Sequence, residues 1–390
     1  MQARCCPLEV TISRGSNMNR DYNIINGKFQ HIILEGTAYE VGKMQGEIVR
    51  KDEKAVKFYS SFKTDLRSMG FHDFKELGTA YEEYCPGLLE EMKGLADGLG
   101  VEISEIPFYR ATYQVPKKCS QIAVLSSVTN DKRIYVGRSY EWIQTDEELR
   151  LCITRVTGKA KHIGFSTALF GRLDGMNEHG LSVTYTGGGI FGVPLKHKGF
   201  CNWLVIRSIL DGCKTIDDAL NLIQRIPVLD FFSLLIVDKK SNAALIEFAD
   251  GTHDIKRVNN DSPDKYLIST NHYTLPATTK FNEHNCGVIE HSQKRYQLLA
   301  STLKNAVPEI NKETIRTILS KKFPEGVCDH YYSDSFGTLW SMIFDLTSAK
   351  AEICFGAPTH NEWQSFTLDE PVGVKEYTAI FPDATGKWPY

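Results

Sequence analysis

One stretch of the chain, Cys119 to Trp142, constrains its fold more than any other. Two apolar runs, 122–128 and 134–136, are rich in β-branched and aromatic residues and flank a short polar turn that contains Asn-Asp. Runs of this kind on either side of such a turn predict a β-hairpin. A hairpin here would return Arg138 to the end of the sheet at which Cys119 lies.

The predicted proximity of Cys119 and Arg138 has two interpretations. A guanidinium near a thiol favours the thiolate, which would make Cys119 a reactive cysteine. Alternatively, Cys119 is an inert core residue and Arg138 a surface charge, because free cysteines are commonly small buried residues. The hairpin alone does not decide between them, but the segments downstream favour the reactive interpretation.

Composition narrows the class of protein. The chain has 390 residues, 42% of them hydrophobic and 24% charged, which is ordinary for a globular protein with a sizeable core. The net charge is -3 and no basic block is present, so a nucleic-acid partner is not expected. No apolar run approaches the ~20 residues of a membrane span, and the N-terminus lacks the apolar region of a secretory signal. The ten cysteines form no C-x-x-C pair, which favours a cytoplasmic enzyme with free thiols.

The character of the chain changes at the predicted hairpin. Residues 1–30 are polar and predict an irregular N-terminal arm, and residues 31–118 are mainly helical in pattern. Residues 119–390 alternate strand-like and helical segments. Strands, then helices, then strands predict an α+β fold in which two antiparallel sheets pack together with helices outside.

Several polar groups have ordinary explanations. The glycine run 187–189 is not followed by the residues of a phosphate-binding loop. His284 and His291 match no common zinc spacing, so we expect neither a metal nor another cofactor. The polar loop 329–334, which contains Asp329, His330 and Asp334, predicts solvated or satisfied side chains.

Three other polar residues are harder to dismiss. Asn271 follows an apolar strand, where its amide would either face a pocket or form a turn. Arg295 lies early in an amphipathic helix, where a solvated charge is the usual explanation. Glu141 stands three residues after Arg138, close enough to pair with it or with an amine.

The order of these segments resembles that of the N-terminal-nucleophile cysteine hydrolases, the choloylglycine hydrolase and penicillin V acylase group. The upstream segments 35–42 and 86–96 are similar to the propeptide of the branch that contains acyl-coenzyme A:6-aminopenicillanate acyltransferase. The downstream segments that carry the resemblance begin at Cys119 and continue with 137–142, 175–181, 270–272 and Ser292-x-x-Arg295.

This resemblance implies a four-layer αββα sandwich that is made as a precursor and cleaves itself between Lys118 and Cys119. Residues 31–118 would then form a small propeptide subunit, and 119–390 the catalytic domain. Cys119 would be the nucleophile and its new α-amine the base, since an α-amino group has a pKa of roughly 8.

The remaining site residues are also implied by the resemblance. Arg138 would hold the thiolate and the substrate, with Glu141 beside it. Asn271 would donate to an oxyanion together with a backbone N–H near Gly187. Arg295 matches an arginine that orders the network.

The implied reaction is cleavage or transfer of the acyl group of a linear amide through a thioester. The substrate would be a small N-acyl amide, with acyl-CoA as one candidate donor, and the two fragments would stay associated. An uncleaved, non-catalytic relative that binds a small ligand in the same pocket is the alternative. A papain-like enzyme is disfavoured because no histidine stands in a recognisable partner motif.

The chain departs from the family pattern around the nucleophile. Lys118 stands where glycine is usual, Ser120 replaces threonine, Ser139 replaces asparagine, and Glu141 replaces aspartate. The pair formed by residue 117 and Lys118 also offers a dibasic site to a trypsin-like protease. Self-cleavage and external cleavage are therefore both open at this stage.

Overall fold

A computed structural model describes residues 24–53, 55–56, 71–106, 118–167, 169–190, 197, 199–284 and 286–382. The strands, in chain order, are β1 (Ile24–Gly36), β2 (Lys118–Val124), β3 (Tyr135–Ile143), β4 (Arg150–Val156), β5 (His162–Thr167), β6 (Gly171–Arg172), β7 (Asp174–Asn177), β8 (Leu181–Gly187), β9 (Phe231–Asp238), β10 (Asn242–Ala249), β11 (Thr252–Asn259), β12 (Tyr266–Ser269), β13 (His330–Tyr331), β14 (Phe336–Asp345), β15 (Lys350–Phe355), β16 (Trp363–Phe366) and β17 (Gly373–Pro382). The α-helices are α1 (Ala38–Val49), α2 (Phe74–Tyr84), α3 (Leu88–Leu99), α4 (Asn202–Gly212), α5 (Ile216–Ile223), α6 (Cys286–Ala306) and α7 (Lys312–Ser320).

The smaller sheet contains the predicted hairpin. Its strands run in the order β12-β2-β3-β14-β15-β16, with β13 paired to β14, and all of these pairings are antiparallel. Strands β2 and β3 pair with Cys119 opposite Tyr140 and Gln121 opposite Arg138. The predicted hairpin is therefore present, but β2 ends at Val124, and Ser126–Val128, which were predicted as strand, form a 3-10 helix in the connection.

The larger sheet includes a strand from the N-terminal part of the chain. Its order is β11-β10-β9-β8-β7-β5-β4-β1-β17, with β6 paired to β5. Strand β1 runs parallel to β4 and antiparallel to β17. The prediction of an irregular arm over residues 1–30 is therefore wrong for residues 24–30, which lie in β1, whereas residues 1–23 lie outside the described residues.

The two sheets pack face to face, with helices on their outer faces. Between the sheets, the ring of Phe165 on β5 stacks on that of Trp340 on β14 at 3.9 Å between centroids. Helices α6 and α7 bury Leu299 and Ile315 against the outer face of the smaller sheet. Helices α1, α4 and α5 cover the larger sheet. This is the predicted αββα arrangement, except that the parallel pairing of β1 with β4 makes the larger sheet mixed rather than wholly antiparallel. Among the described helices, none is both long and apolar enough to cross a membrane.

The N-terminal helices are joined to the rest of the fold by buried charges. The Arg207 guanidinium of α4 donates to Glu91 of α3 at 2.7 Å and to Asp211 at 2.9 Å. Glu91 and Arg207 are fully buried, and Gln45 of α1 donates to Glu91 at 3.2 Å. A buried charge that loses its partner is strongly unfavourable, so this contact ties α3 to α4.

We expect Glu91→Gln to lower the free energy of unfolding by about 3 kcal/mol, because it leaves the buried Arg207 guanidinium with an incomplete set of anionic partners. Denaturant unfolding of the purified protein measures this. Glu90→Gln is the matched control, since Glu90 pairs with Lys93 in solvent and its loss should leave stability unchanged. Equal losses in the two variants would contradict a role for the buried pair.

Candidate active site

The alternation of side chains along β2 separates two groups of polar residues. Cys119 belongs to the apolar core between the two sheets, whereas Ile122 belongs to the core under helices α6 and α7. Lys118 lies opposite Glu141 of β3 in the strand register. Successive residues of a strand point to opposite faces, so Lys118 and the Cys119 sulfur face different layers of the protein.

The Cys119 sulfur lies beside a buried ion pair. Arg138 Nη2 is 4.0 Å from the sulfur, and Nη1 is 3.2 Å from Asp174 Oδ2 on β7. The Arg138 guanidinium also lies 5.0 Å from the centre of the Tyr140 ring. Arg138 is fully buried rather than a surface charge. Its carboxylate partner is Asp174, so the alternative that Glu141 pairs with Arg138 is wrong.

The charge on Cys119 is decided by a competition between burial and cations. Burial raises the pKa of the Cys119 thiol above its ordinary value, and this effect outweighs the lowering by Arg138. Glu141 raises the pKa further, while Arg295 and the Gly187 backbone N–H lower it. Arg138 therefore acts in the direction that the sequence predicted, but in the uncut chain the neutral thiol is favoured.

Asn271 and Arg295 hold the backbone of Cys119. The Cys119 N–H donates to Asn271 Oδ1 at 2.8 Å, and Arg295 Nη1 donates to the Cys119 carbonyl at 2.5 Å. Arg295 Nη2 also donates to Asn271 Oδ1, at 2.7 Å. Asn271 Nδ2 donates to the Gly187 carbonyl at 2.7 Å. The structure thus brings four of the residues named from the sequence into one network.

Further contacts orient Arg295 within this network. Arg295 Nε donates to His291 Nδ1 at 3.1 Å, and Nη1 donates to Ser120 Oγ at 2.9 Å. Burial, with Arg295 beside it, lowers the pKa of His291 to about 2, so the imidazole is neutral and accepts the hydrogen bond. Arg295 is fully buried, which rules out a solvated helix charge. Within the described part of the chain, no group of three or more His, Cys, Asp or Glu side chains could hold a metal.

On the other face of β2, Lys118 lies in a buried cluster of charges. Its Nζ is 3.2 Å from Asp329 Oδ2, and the two side chains are only 3% and 2% exposed. Asp329 is therefore not solvated; it is satisfied by the Lys118 ammonium group, the second of the two states predicted for it. Its burial also makes Lys118 a poor site for an external protease, whereas residue 117 lies outside the described residues.

Glu141 completes this cluster. Its Oε1 accepts hydrogen bonds from Ser139 and from Thr338, the latter at 3.0 Å, whereas Oε2 is buried with no hydrogen-bond partner in the described structure. Burial, with the Asp329 carboxylate nearby, raises the pKa of Glu141 to about 7. A carboxyl group that keeps its proton near neutrality fits this set of contacts.

Two of the side chains that shape the site were not singled out from the sequence. Asp174 begins a short strand, and no local pattern distinguishes it from a turn aspartate. Asp329 lies in a polar loop where exposure is the ordinary expectation. Only a buried basic residue close in space, Arg138 in one case and Lys118 in the other, reveals their positions.

Comparison with known proteins gives one family match. The family model described as acyl-coenzyme A:6-aminopenicillanic acid acyl-transferase matches residues 128–360, more than half of the chain. Arg138, Glu141, Gly187, Asn271 and Arg295 lie inside this range, and Cys119 precedes it. Comparison with curated proteins finds no match.

Several solved structures show a distant similarity. The ortholog of N-acylethanolamine-hydrolyzing acid amidase from Caenorhabditis elegans is 15% identical, covers 59% of this chain and 93% of its own, and has a TM-score of 0.44. Penicillin V acylase from Agrobacterium tumefaciens is 14% identical, with a TM-score of 0.43. The match covers 66% of this chain and 90% of the acylase chain. A mutant of conjugated bile acid hydrolase from Clostridium perfringens is 12% identical, with a TM-score of 0.41. The match covers 66% of this chain and 96% of the hydrolase chain. These scores lie below 0.5, so the function proposed below rests on the family match and on the site geometry.

We expect Glu141→Gln to change how stability depends on pH. Because the folded-state pKa is raised from 4.5 to about 7, the Glu141 proton stabilises the fold fully below pH 4.5, and this contribution is lost as pH rises through about 7. Glutamine is neutral throughout, and its amide can keep the Ser139 and Thr338 contacts. Between about pH 5 and about pH 8, the unfolding free energy of the parent should therefore fall by about 2 kcal/mol more than that of the variant.

Denaturant unfolding at the two pH values measures this difference, with both proteins in a Cys119→Ala background so that their chains stay intact. Parallel pH dependence in the two proteins would contradict a protonated Glu141.

We expect removal of the Arg138 charge to slow alkylation of Cys119 near neutral pH far more than at about pH 10, where the thiol ionises unaided. The double variant Arg138→Met/Asp174→Asn removes both members of the ion pair and leaves no unpaired buried charge. The midpoint of its iodoacetamide pH profile should rise by about one pH unit or more.

Arg133→Met is the control for this experiment, because Arg133 precedes β3 but pairs with Asp345 at a partly exposed position. An unchanged midpoint in the double variant would show that Arg138 serves another purpose, such as binding a substrate carboxylate.

Proposed function

The chain belongs to the acyl-coenzyme A:6-aminopenicillanic acid acyl-transferase family, and on that premise we propose that it is a self-cleaving enzyme of linear amides. Cys119 is the nucleophile, first toward its own bond to Lys118 and then toward an N-acyl small molecule. The second reaction releases an amine. The acyl group then passes to water, which gives a carboxylate, or to another amine, which gives a new amide.

One observation carries this proposal. The Cys119 sulfur, its N–H and its carbonyl are each contacted by a different buried group: Arg138, Asn271 and Arg295 respectively. An inert core cysteine would need none of these contacts. Polar groups that are fixed in advance around one reacting centre are the arrangement that lowers the barrier to acyl transfer.

In the proposed self-cleavage, the Cys119 sulfur attacks the carbonyl carbon of Lys118. A C–S bond forms, the C–N bond breaks, and the leaving nitrogen takes the proton that the thiol gives up and becomes the α-amine of Cys119. Water then hydrolyses the thioester, which releases the thiol and leaves a carboxylate on Lys118. Asn271 Oδ1, 2.8 Å from the leaving nitrogen, accepts its hydrogen bond throughout.

Turnover of an external amide repeats this chemistry. The new α-amine has a pKa of roughly 8 and can accept the thiol proton and return it to the leaving amine. The amide nitrogen of Asn271 and a backbone N–H near Gly187 are the proposed donors to the oxyanion. Acyl-CoA is the candidate donor if the enzyme transfers rather than hydrolyses, and the chemistry requires no metal or other cofactor.

The N-terminal fragment is proposed to remain bound after cleavage. Strand β1 lies between β4 and β17, and Glu91 pairs with the fully buried Arg207. Loss of the fragment would expose both sheet edges and leave a buried cation unpaired. We also propose a cytoplasmic location, which is supported by the seven free, buried cysteines of the described residues.

An uncleaved, ligand-binding relative is the second candidate function. It is favoured by the burial of Cys119, which is only 1% exposed, and by the raised pKa of its thiol. Both properties belong to the uncut chain. Cleavage would free the nitrogen of Cys119 and relieve the enclosure. Burial and a raised thiol pKa therefore favour the ligand-binding candidate only if the Lys118–Cys119 bond stays intact.

Intact mass of the purified protein tests the proposal. We expect two fragments, the larger beginning at Cys119, and a single full-length chain for Cys119→Ala, because the attacking sulfur is gone. Lys117→Gln, which destroys the dibasic pair but keeps the scissile bond, should still be cut. Cleavage of Cys119→Ala at the same bond would show that an external protease is responsible, and an uncut parent protein would favour the ligand-binding candidate.

A further inference from the structure

The site that holds the Lys118 side chain has the composition of a receptor for an alkylammonium ion. Asp329 supplies a carboxylate 3.2 Å from Nζ, and the rings of Tyr331 and Phe336 lie 5.4 Å and 5.6 Å from it. Aromatic faces and a desolvated carboxylate are the groups that bind organic cations in proteins. Glu141 lies opposite in the strand register, and its Oε2 is buried without a hydrogen-bond partner in the described structure.

Burying an ammonium group is strongly unfavourable unless a counter-ion and further contacts replace its hydration. Lys118 and Asp329 are nevertheless almost completely buried. The Asp329 carboxylate and the neighbouring rings therefore form a site at the scissile bond that can hold an ammonium group without its hydration.

Self-cleavage and turnover present the same kind of atom to the same sulfur. In the first reaction the carbonyl carbon attacked by Cys119 belongs to Lys118. In the second it belongs to the acyl group of the substrate. Because one thiol and one set of hydrogen-bond donors serve both, the acyl group of the substrate takes the position that Lys118 holds in the uncut chain.

We propose that the site formed by Asp329, Tyr331 and Phe336 is the acyl-group subsite of the mature enzyme, and that it selects acyl groups bearing a terminal ammonium on a short alkyl chain. This inference rests on the proposed function. Lys118 is then a built-in stand-in for the substrate, and Asp329 is a specificity-determining residue.

Cleavage itself helps to empty the subsite. Breaking the Lys118–Cys119 bond creates a carboxylate on Lys118, which lies opposite Glu141 in the strand register. A new carboxylate in a buried site is unfavourable because burial removes its hydration, so the new chain end is displaced from the site. The Asp329 carboxylate is thereby left to the substrate's ammonium group.

The subsite can be tested without turnover by chemical rescue. In a Cys119→Ala background the chain stays uncut, and Lys118→Ala removes the side chain beyond Cβ. We expect n-propylammonium chloride, which has the missing atoms, to raise the melting temperature of this double variant. Equal concentrations of 1-propanol or sodium chloride should not. Lys93→Ala, which removes a lysine paired with Glu90 in solvent, is the matched control and should not respond.

Two outcomes of the rescue experiment would overturn the subsite. One is an equal response to n-propylammonium and 1-propanol, which would show that the site binds the apolar propyl chain and does not recognise the ammonium group. The other is an undiminished response after Asp329→Asn, which would show that the carboxylate does not hold the cation.

The substrate class is tested on the processed wild-type enzyme with a matched pair of amides. Both amides carry the same fluorogenic leaving group, aminomethylcoumarin. Their acyl groups are Nα-acetyl-L-lysyl and Nα-acetyl-L-norleucyl, and only the lysyl group has a terminal ammonium. We expect kcat/KM to be higher for the lysyl amide by roughly tenfold or more, and Asp329→Asn to abolish the difference. Uncut Cys119→Ala is the blank for contaminating proteases.

The failures of the two proposals are distinguishable. A processed enzyme that cleaves the norleucyl amide as well as the lysyl amide would overturn the subsite and leave the proposed function intact. An uncut chain that cleaves neither would overturn the proposed function, and the rescue experiment would still decide whether the cation site exists. If Asp329→Asn fails to fold, protection of Cys119 from iodoacetamide by Nα-acetyl-L-lysine but not by Nα-acetyl-L-norleucine gives the same decision in the unaltered, processed protein.

Discussion

The alternation of side chains along β2 is the constraint on which the rest of the site depends. It points the Cys119 sulfur into the space between the sheets and Lys118 and Ser120 toward helices α6 and α7. A shift of one residue in the pairing of β2 with β3 would exchange these faces. The register, held by ladder hydrogen bonds on both sides of β2, therefore decides which residue is a nucleophile and which is a buried cation.

Both faces bury charge, and each supplies its own counter-ions. Between the sheets, Arg138 is neutralised by Asp174, so that only part of its field acts on the Cys119 sulfur. On the helix side, Lys118 is neutralised by Asp329, and Glu141 keeps a raised pKa. Because each cation has a carboxylate partner, the cost of burial is limited. The raised pKa of Cys119 shows that desolvation still dominates before the chain is cut.

The N-terminal part of the chain belongs to the same structure as the site. Strand β1 lies inside the larger sheet, and helices α1 and α3 approach so closely that a Cβ on Gly42 would lie 1.8 Å from the carbonyl oxygen of Glu91. The proposed boundary between Lys118 and Cys119 is therefore a boundary in covalent structure rather than in folding. A precursor organised in this way can be cut at one bond and keep its core.

The sequence by itself determined the hairpin and the succession of strand-like and helical segments, and its resemblance to a family implied the αββα layers and a site made of Cys119, Arg138, Asn271 and Arg295. These follow from alternation, turn chemistry and motif order, which are properties of neighbouring residues. Only the tertiary structure decided the partners, Asp174 for Arg138 and Asp329 for Lys118, and the place of residues 24–30 in a sheet. Strand pairing joins segments that are far apart in the chain, and burial, which sets the direction of each pKa, is a property of the assembled core.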